Sequence, residues 1–177
     1  DRCNLSCTHC YNASGPSSKG NGELLTAEAR AVIDDLARTG VPLIIFTGGE
    51  PLMREDFFEL AGYAGSRGVK SALSTNGTLI TPEIAGRIRD AGIGYAGISL
   101  DGATAKTHDR FRQSPGAFDR AIAAFCACRD AGVRSGVRVT LTKENSAELG
   151  ALIDLALRIG ASRFCLYWLV PCGRGAA

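Results

Sequence analysis

Apolar runs and helical repeats alternate along the chain. Leu43-Ile44-Ile45-Phe46-Thr47 is a continuous apolar stretch bounded by Pro42 and Gly48. A short β-branched run of this kind predicts a strand buried on both faces, as in a parallel sheet. Residues 71–75, 95–100, 137–141 and 163–170 read as further strands. Between them the spacing becomes helical. Ala29, Val32, Ile33 and Leu36 recur behind Thr26, a predicted N-cap, and Gly40 closes that helix. Residues 55–66 carry Phe58, Leu60, Ala61 and Ala64, with Gly68 after them. Thr81-Pro82-Glu83 combines a cap, a first-turn proline and an early acid, and Gly92 stops the helix it starts. Residues 118–131 and 147–159 are helical, and the Gly/Ser/Pro-rich stretch 12–22 is a loop. Strand centres near 45, 73, 98, 139 and 167, alternating with helices, predict βαβ units in an α/β fold. Its strands are parallel and its crossovers right-handed.

Composition narrows the class. With 177 residues, one domain spanning 1–177 is expected, and 45% apolar content is ordinary for a globular chain. A net charge of +2 gives no footprint for nucleic acid or an anionic membrane surface. There is no apolar run long enough to span a bilayer. Seven cysteines, an odd number with three bunched together, do not form a disulfide scaffold and point to a reducing cytoplasm. No strand precedes Cys3, and no closing helix follows Gly173-Arg174-Gly175. The expectation is a fragment of a longer protein, cut at both ends.

The chemistry concentrates in Asp1-Arg2-Cys3-Asn4-Leu5-Ser6-Cys7-Thr8-His9-Cys10-Tyr11. C-x3-C-x2-C spacing lets one loop wrap three soft thiolates around one centre, which suits iron–sulfur clusters or zinc. A structural zinc site wants a fourth ligand, for which His9 is available. A thiol redox role for Cys7 and Cys10 is a third reading. The other polar signals fall at carboxyl ends of strands, where parallel folds gather ligands. Thr47-Gly48-Gly49-Glu50-Pro51 allows close backbone approach and holds a lone acid. Ser74-Thr75-Asn76-Gly77 and Ser99-Leu100-Asp101-Gly102 add hydroxyls, an amide and an acid. Each is equally a plain turn sequence when taken alone. His108-Asp109-Arg110-Phe111-Arg112 reads as a basic loop or a carboxylate-binding element. Arg138 alternates with apolar neighbours and points into the mouth of the fold or into a buried pair. Cys126, Cys128 and Cys165 read as packing residues. Cys172 is a further candidate ligand or reactive thiol.

Taken in order, these motifs resemble the radical SAM (S-adenosylmethionine) superfamily, with His9 in the aromatic slot before the third cysteine. The resemblance implies a partial six-stranded (β/α)6 TIM-like barrel whose first strand is missing here. It implies a 4Fe–4S cluster on Cys3, Cys7 and Cys10, with SAM on the open iron. Gly48, Gly49, Glu50, Pro51, Ser74, Asn76, Ser99 and Asp101, with His9 and Arg112, form the expected SAM-binding set. Arg110, Arg112 and Arg138 all remain candidates for a carboxylate. The implied reaction is reductive cleavage of SAM to methionine and a 5′-deoxyadenosyl radical, which takes hydrogen from substrate. The longer matches (46–54, 72–80, 97–102, 107–112 and 169–175) resemble the group that modifies tetrapyrrole side chains, heme d1 biosynthesis included. The implied substrate is a small molecule, a tetrapyrrole before a peptide of the SPASM maturase kind. The implied electron donor is a flavodoxin or ferredoxin. Tyr167-Trp168 and Pro171-Cys172 depart from that group's pattern, and its cysteine-rich C-terminal region is absent from these residues.

Overall fold

The computed structural model describes residues 2–20 and 22–176. Asp1 and Ala177, at the ends of the expected domain, and Asn21, in the expected loop, lie outside the described residues. Five strands form one parallel sheet in sequential order: β1 (Leu43–Phe46), β2 (Lys70–Thr75), β3 (Ile93–Ser99), β4 (Ser135–Leu141) and β5 (Phe164–Trp168). The register sets Phe46 beside Leu73, Ile98 beside Thr75 and Val137, and Arg138 beside Cys165. Helices α1 (Thr26–Arg38), α2 (Phe57–Ser66), α3 (Pro82–Asp90), α4 (Ala105–Arg112), α5 (Ala117–Asp130) and α6 (Leu149–Arg158) make the crossovers. The sheet is parallel, as the βαβ rhythm predicts, and it curls into a partial barrel, as the family resemblance implies.

One face of the sheet is packed. Leu73, Ile98, Val137 and Val139 meet Phe57, Ile88, Phe125 and Leu152 in the main core. Each such side chain contributes about 1.5–3 kcal/mol by leaving water. A smaller cluster of Ile33, Leu60, Ala64 and Val69 joins α1 to α2. The opposite, concave face lines the site.

Several element boundaries follow physics that the pattern does not display. Only one face of β1 is covered: Ile44 and Phe46 pack on the helices, whereas Leu43 is 45% and Ile45 51% exposed. The apolar run reports two apolar faces, and helices cover one. Thr26 is the first helical residue, not the cap; the cap is Leu25, whose N–H donates to the Glu28 carboxylate at 2.7 Å. The Thr26 hydroxyl reaches Asp56 instead. Val32 faces outward at 46% exposure. The reading of α3 holds in detail: Thr81 Oγ1 accepts from the Ile84 N–H, and Pro82 opens the helix. The stretch from His108 to Arg112 is helix α4, not a loop. Its charges hide the pattern, since only His108, Phe111 and Arg112 of those five residues turn inward.

Candidate functional site

The cysteine loop is held from three directions. From the sheet, Glu50 N–H donates to the Arg2 carbonyl at 2.8 Å. From α4, the Phe111 carbonyl accepts from Thr8 N–H at 3.1 Å, while the Phe111 ring stacks on His9 with centroids 4.3 Å apart. From the turn at Gly173–Ala176, Arg174 donates through its backbone N–H to the Cys10 carbonyl at 2.9 Å. Its guanidinium donates to the Cys7 and Ser14 carbonyls, both at 2.7 Å. Gly173 is needed there, since a Cβ would lie 2.4 Å from the Tyr11 carbonyl oxygen. Cys3 and Cys7 are buried, and Cys10 is half-buried. Burial pushes the Cys3 thiol up, with Cys7 and Glu50 adding to it.

The donors around the sulfurs suit bound thiolates. Asn76 Nδ2 lies 3.9 Å from Cys3 Sγ, and Arg112 Nη1 lies 3.7 Å from Cys7 Sγ. Hydrogen bonds of this sort orient metal ligands and stabilise their charge. His9 Nδ1, Ser14 Oγ and Arg112 Nε are buried beside the loop without a hydrogen-bond partner. Three cysteines, flanking donors and orphaned polar atoms together fit an iron–sulfur cluster. Among the described residues, no three His, Cys, Asp or Glu side chains converge on a point where one ion would sit. The His9 ring is engaged with Phe111. Burial, with the Arg112 charge assisting, lowers the His9 pKa to about 4.

Behind the loop lies a polar network at the strand ends. Glu50 is buried and accepts from Thr75 Oγ1 at 2.8 Å, Asn76 N–H at 2.9 Å and Leu52 N–H at 3.2 Å. Burial raises its pKa and those three donors oppose the rise. Asn76 also donates to Asn4 at 2.9 Å, so β2 is tied directly to the cysteine loop. Asp101 is fully buried, accepts from Thr140 N–H at 2.7 Å and pairs with Arg112 Nη2. Burial alone would lower the Arg112 pKa; Asp101 and Cys7 more than offset it and hold the guanidinium charged. His108 Nδ1 accepts from Asp101 N–H at 3.1 Å, which ties α4 to the end of β3. Burial lowers its pKa to about 4.

Loop and strand ends enclose a cavity of about 290 Å³. Of the expected set, Cys3, Cys7, His9, Cys10, Gly48, Gly49, Ser74, Asn76, Ser99 and Arg112 line it. Glu50 and Pro51 instead line a smaller neighbouring cavity that shares Thr47, Gly48 and Gly49, and Asp101 is fully buried. Arg112 lines the cavity with Nη2 paired to Asp101 and Nη1 beside Cys7 Sγ. Arg110 points away, toward Glu144 at 3.4 Å on an exposed surface. Arg138 lines the cavity with its guanidinium 4.6 Å from the Tyr167 ring centroid. Cys172 is exposed and stands outside the lining. Motif reading missed Asn145, fully buried, which donates to the Asp101 and Thr140 carbonyls, both at 2.9 Å. It also missed the clasp made by Arg174. Neither residue carries a local signal, because each acts on a partner distant in sequence.

A family model described as the Radical SAM superfamily matches residues 1–156. The chain belongs to the radical SAM superfamily. Members use a 4Fe–4S cluster and SAM. Two relatives from Methanosarcina barkeri are similar over nearly the whole chain. Fe-coproporphyrin III synthase is 45% identical, covering 99% of this chain and 43% of its own length. AdoMet-dependent heme synthase is 46% identical, covering 98% and 49%. Pre-heme d1 synthase of Dinoroseobacter shibae and the mycofactocin maturase MftC of Mycobacterium tuberculosis are each 42% identical, covering 98% of this chain and 43% and 44% of their own lengths. The chain thus spans less than half the length of these radical SAM relatives. The fold matches SuiB of Streptococcus suis bound to S-adenosylmethionine with a TM-score of 0.82 at 18% identity, covering 96% of this chain and 39% of that one. Among the described residues, no helix is long and apolar enough to cross a membrane.

Proposed function

We propose that this chain is the core of an enzyme that cleaves SAM reductively and acts on a tetrapyrrole side chain. The carrying observation is that all three cysteines of the loop and the strand-end residues Gly48, Gly49, Ser74, Asn76 and Ser99 line one cavity. Cys3, Cys7 and Cys10 are the cluster ligands in this reading. When bound, the cluster supplies the electron that splits SAM into methionine and a 5′-deoxyadenosyl radical. The backbone at Gly48–Gly49 and the Ser74 and Ser99 hydroxyls bind SAM, with Asn76 and the neutral His9 ring beside it. Glu50, Pro51 and Asp101 act as positioning residues. Leu5, Trp168, Leu169 and Val170 give the cavity its apolar lining. Among the described residues, no Asp or Glu lines the cavity.

The tetrapyrrole substrate rests on the relatives' names and on a lining that combines apolar side chains with arginine. Peptide modification is the second reading, supported by the similarity to MftC. The electron comes from a flavodoxin or ferredoxin in the cytoplasm, and no nucleic acid takes part. The test uses the full-length protein, reconstituted anaerobically with iron and sulfide, reduced and given SAM. We expect 5′-deoxyadenosine by chromatography and its loss, with the cluster absorbance, in Cys7→Ala. Cluster and cleavage surviving in Cys7→Ala would refute the ligand assignment. A loaded cluster that leaves SAM intact would refute the activity.

A further inference from the structure

The charges lining the cavity are one-sided. Besides the thiols and His9, the lining holds Arg112, Arg138 and Arg174 and, among the described residues, no carboxylate. Two of these arginines are accounted for. Arg112 pairs with Asp101, and Arg174 is spent on the Cys7 and Ser14 carbonyls. Arg138 has only an aromatic face. Its guanidinium sits 4.6 Å from the Tyr167 ring centroid, and among the described residues no carboxylate pairs with it.

The seat of Arg138 is built into three strands. On β3, a Cβ at Gly97 would come within 2.6 Å of Arg138 Cδ and 3.3 Å of Cγ. The missing side chain is therefore the space along which the arginine stem lies. On β5, Tyr167 faces Thr140 in the register and covers the guanidinium. The side chain is half-buried, so the stem is fixed while the fork remains available. Stacking on a ring leaves the in-plane N–H donors unspent, and a planar fork matches a carboxylate.

Position in the sheet sets this cation at the border of the SAM-side residues: its register partner on β3 is Ser99, and the rest of that set lies farther off. Arg138 is on β4, two strands from β2, whose end carries Asn76, and three from β1, which leads into Gly48–Gly49. Its neighbours in the lining are Thr140, Tyr167, Trp168, Leu169 and Val170. A cation set among apolar and aromatic side chains fits a flat apolar ligand with carboxylates at its edge. We propose that Arg138, stacked on Tyr167 and seated over Gly97, anchors a carboxylate of the substrate, a propionate if the tetrapyrrole reading above, on which this rests, is right.

The test is a binding titration on the cluster-loaded full-length protein with SAM present. The probes are metal-free coproporphyrin III and its tetramethyl ester, followed by porphyrin fluorescence; SAM affinity is measured separately. Wild type is expected to bind the tetra-acid more tightly than the ester. In Arg138→Gln the tetra-acid should weaken by about 10- to 100-fold, the scale of one charge-assisted interaction. The ester and SAM should change by less than about twofold, and SAM binding also reports that the variant is folded. Arg138→Lys should recover part of the loss, because it keeps the charge without the fork. Unchanged tetra-acid binding in Arg138→Gln would overturn the proposal. Weakened SAM binding with unchanged porphyrin binding would overturn it too and give Arg138 to the SAM carboxylate. If wild type binds neither porphyrin, the tetrapyrrole reading itself fails; if wild type binds and the variant matches it, only the role of Arg138 fails.

Discussion

The most demanding consequence concerns the Asp101–Arg112 pair. The side chains are 0% and 9% exposed, so both charges have left water. At an ordinary ion-pair separation of about 3 Å and an effective dielectric near 20, the attraction is about 5 kcal/mol, offset by desolvation of both groups. In Arg112→Met, Asp101 keeps only the Thr140 N–H as a donor to its carboxylate. Stripping one partner from a buried pair costs about 3–5 kcal/mol, mostly through the stranded charge. The double variant Asp101→Asn/Arg112→Met should be far less destabilised than the sum of the singles, since no charge is stranded. Denaturant unfolding with an unchanged slope is the assay. A loss below about 1 kcal/mol, or a double variant equal to the sum of the singles, would refute this account. If SAM affinity fell while stability held, Arg112 would be a cofactor ligand instead.

Three further outcomes are expected. Arg174→Ala removes both side-chain donors to the cysteine loop, each worth about 1.5–3 kcal/mol as a charged hydrogen bond. Iron should leave to a chelator several-fold faster, and equal release rates would show that the clasp is idle. His108 is neutral when folded, with a pKa of about 4 against an ordinary 6.5. That stabilisation is complete above pH 6.5 and is lost as pH falls toward 4. By pH 4.5 it removes about 2.5 kcal/mol. His108→Gln should lose correspondingly less stability than wild type between pH 7 and 4.5, and parallel profiles would exclude His108 as the source. Gly102→Ala would place a Cβ 2.6 Å from the His108 backbone nitrogen. It should cost about 1–3 kcal/mol by overpacking, read as a lowered unfolding midpoint; an unchanged midpoint would mean that the turn relaxes freely.

Local sequence carries a good deal of this molecule. The strand and helix rhythm is legible because periods of two and 3.6 are properties of short segments, and Thr81-Pro82-Glu83 starts α3 as its chemistry requires. The cysteine loop is legible because cluster ligation demands its spacing. Two places are instructive. The stretch His108–Arg112 hid a helix because its inward residues include a histidine and an arginine, which no hydrophobic pattern counts. Glu50 and Asp101 stand at strand ends as acids, and the fold brings Thr75, Asn76 and Leu52 to the first and Arg112 to the second. Sequence shows that an acid stands at the end of a strand; it does not show which way the carboxylate turns.

By itself, the sequence determined the α/β class, the order of the strands' supporting helices, the cysteine loop and the superfamily. These follow from residue types at short separations, where chain geometry fixes who can meet whom. Only the tertiary structure decided that Arg112 pairs with Asp101, that Arg174 clasps the loop from the far end of the chain, and that Arg138 is left facing the cavity. The physical reason is that a buried charge must find its partner wherever the fold brings one. Those partners lie 11 residues away for Arg112 and 167 for Arg174, beyond the reach of any local pattern.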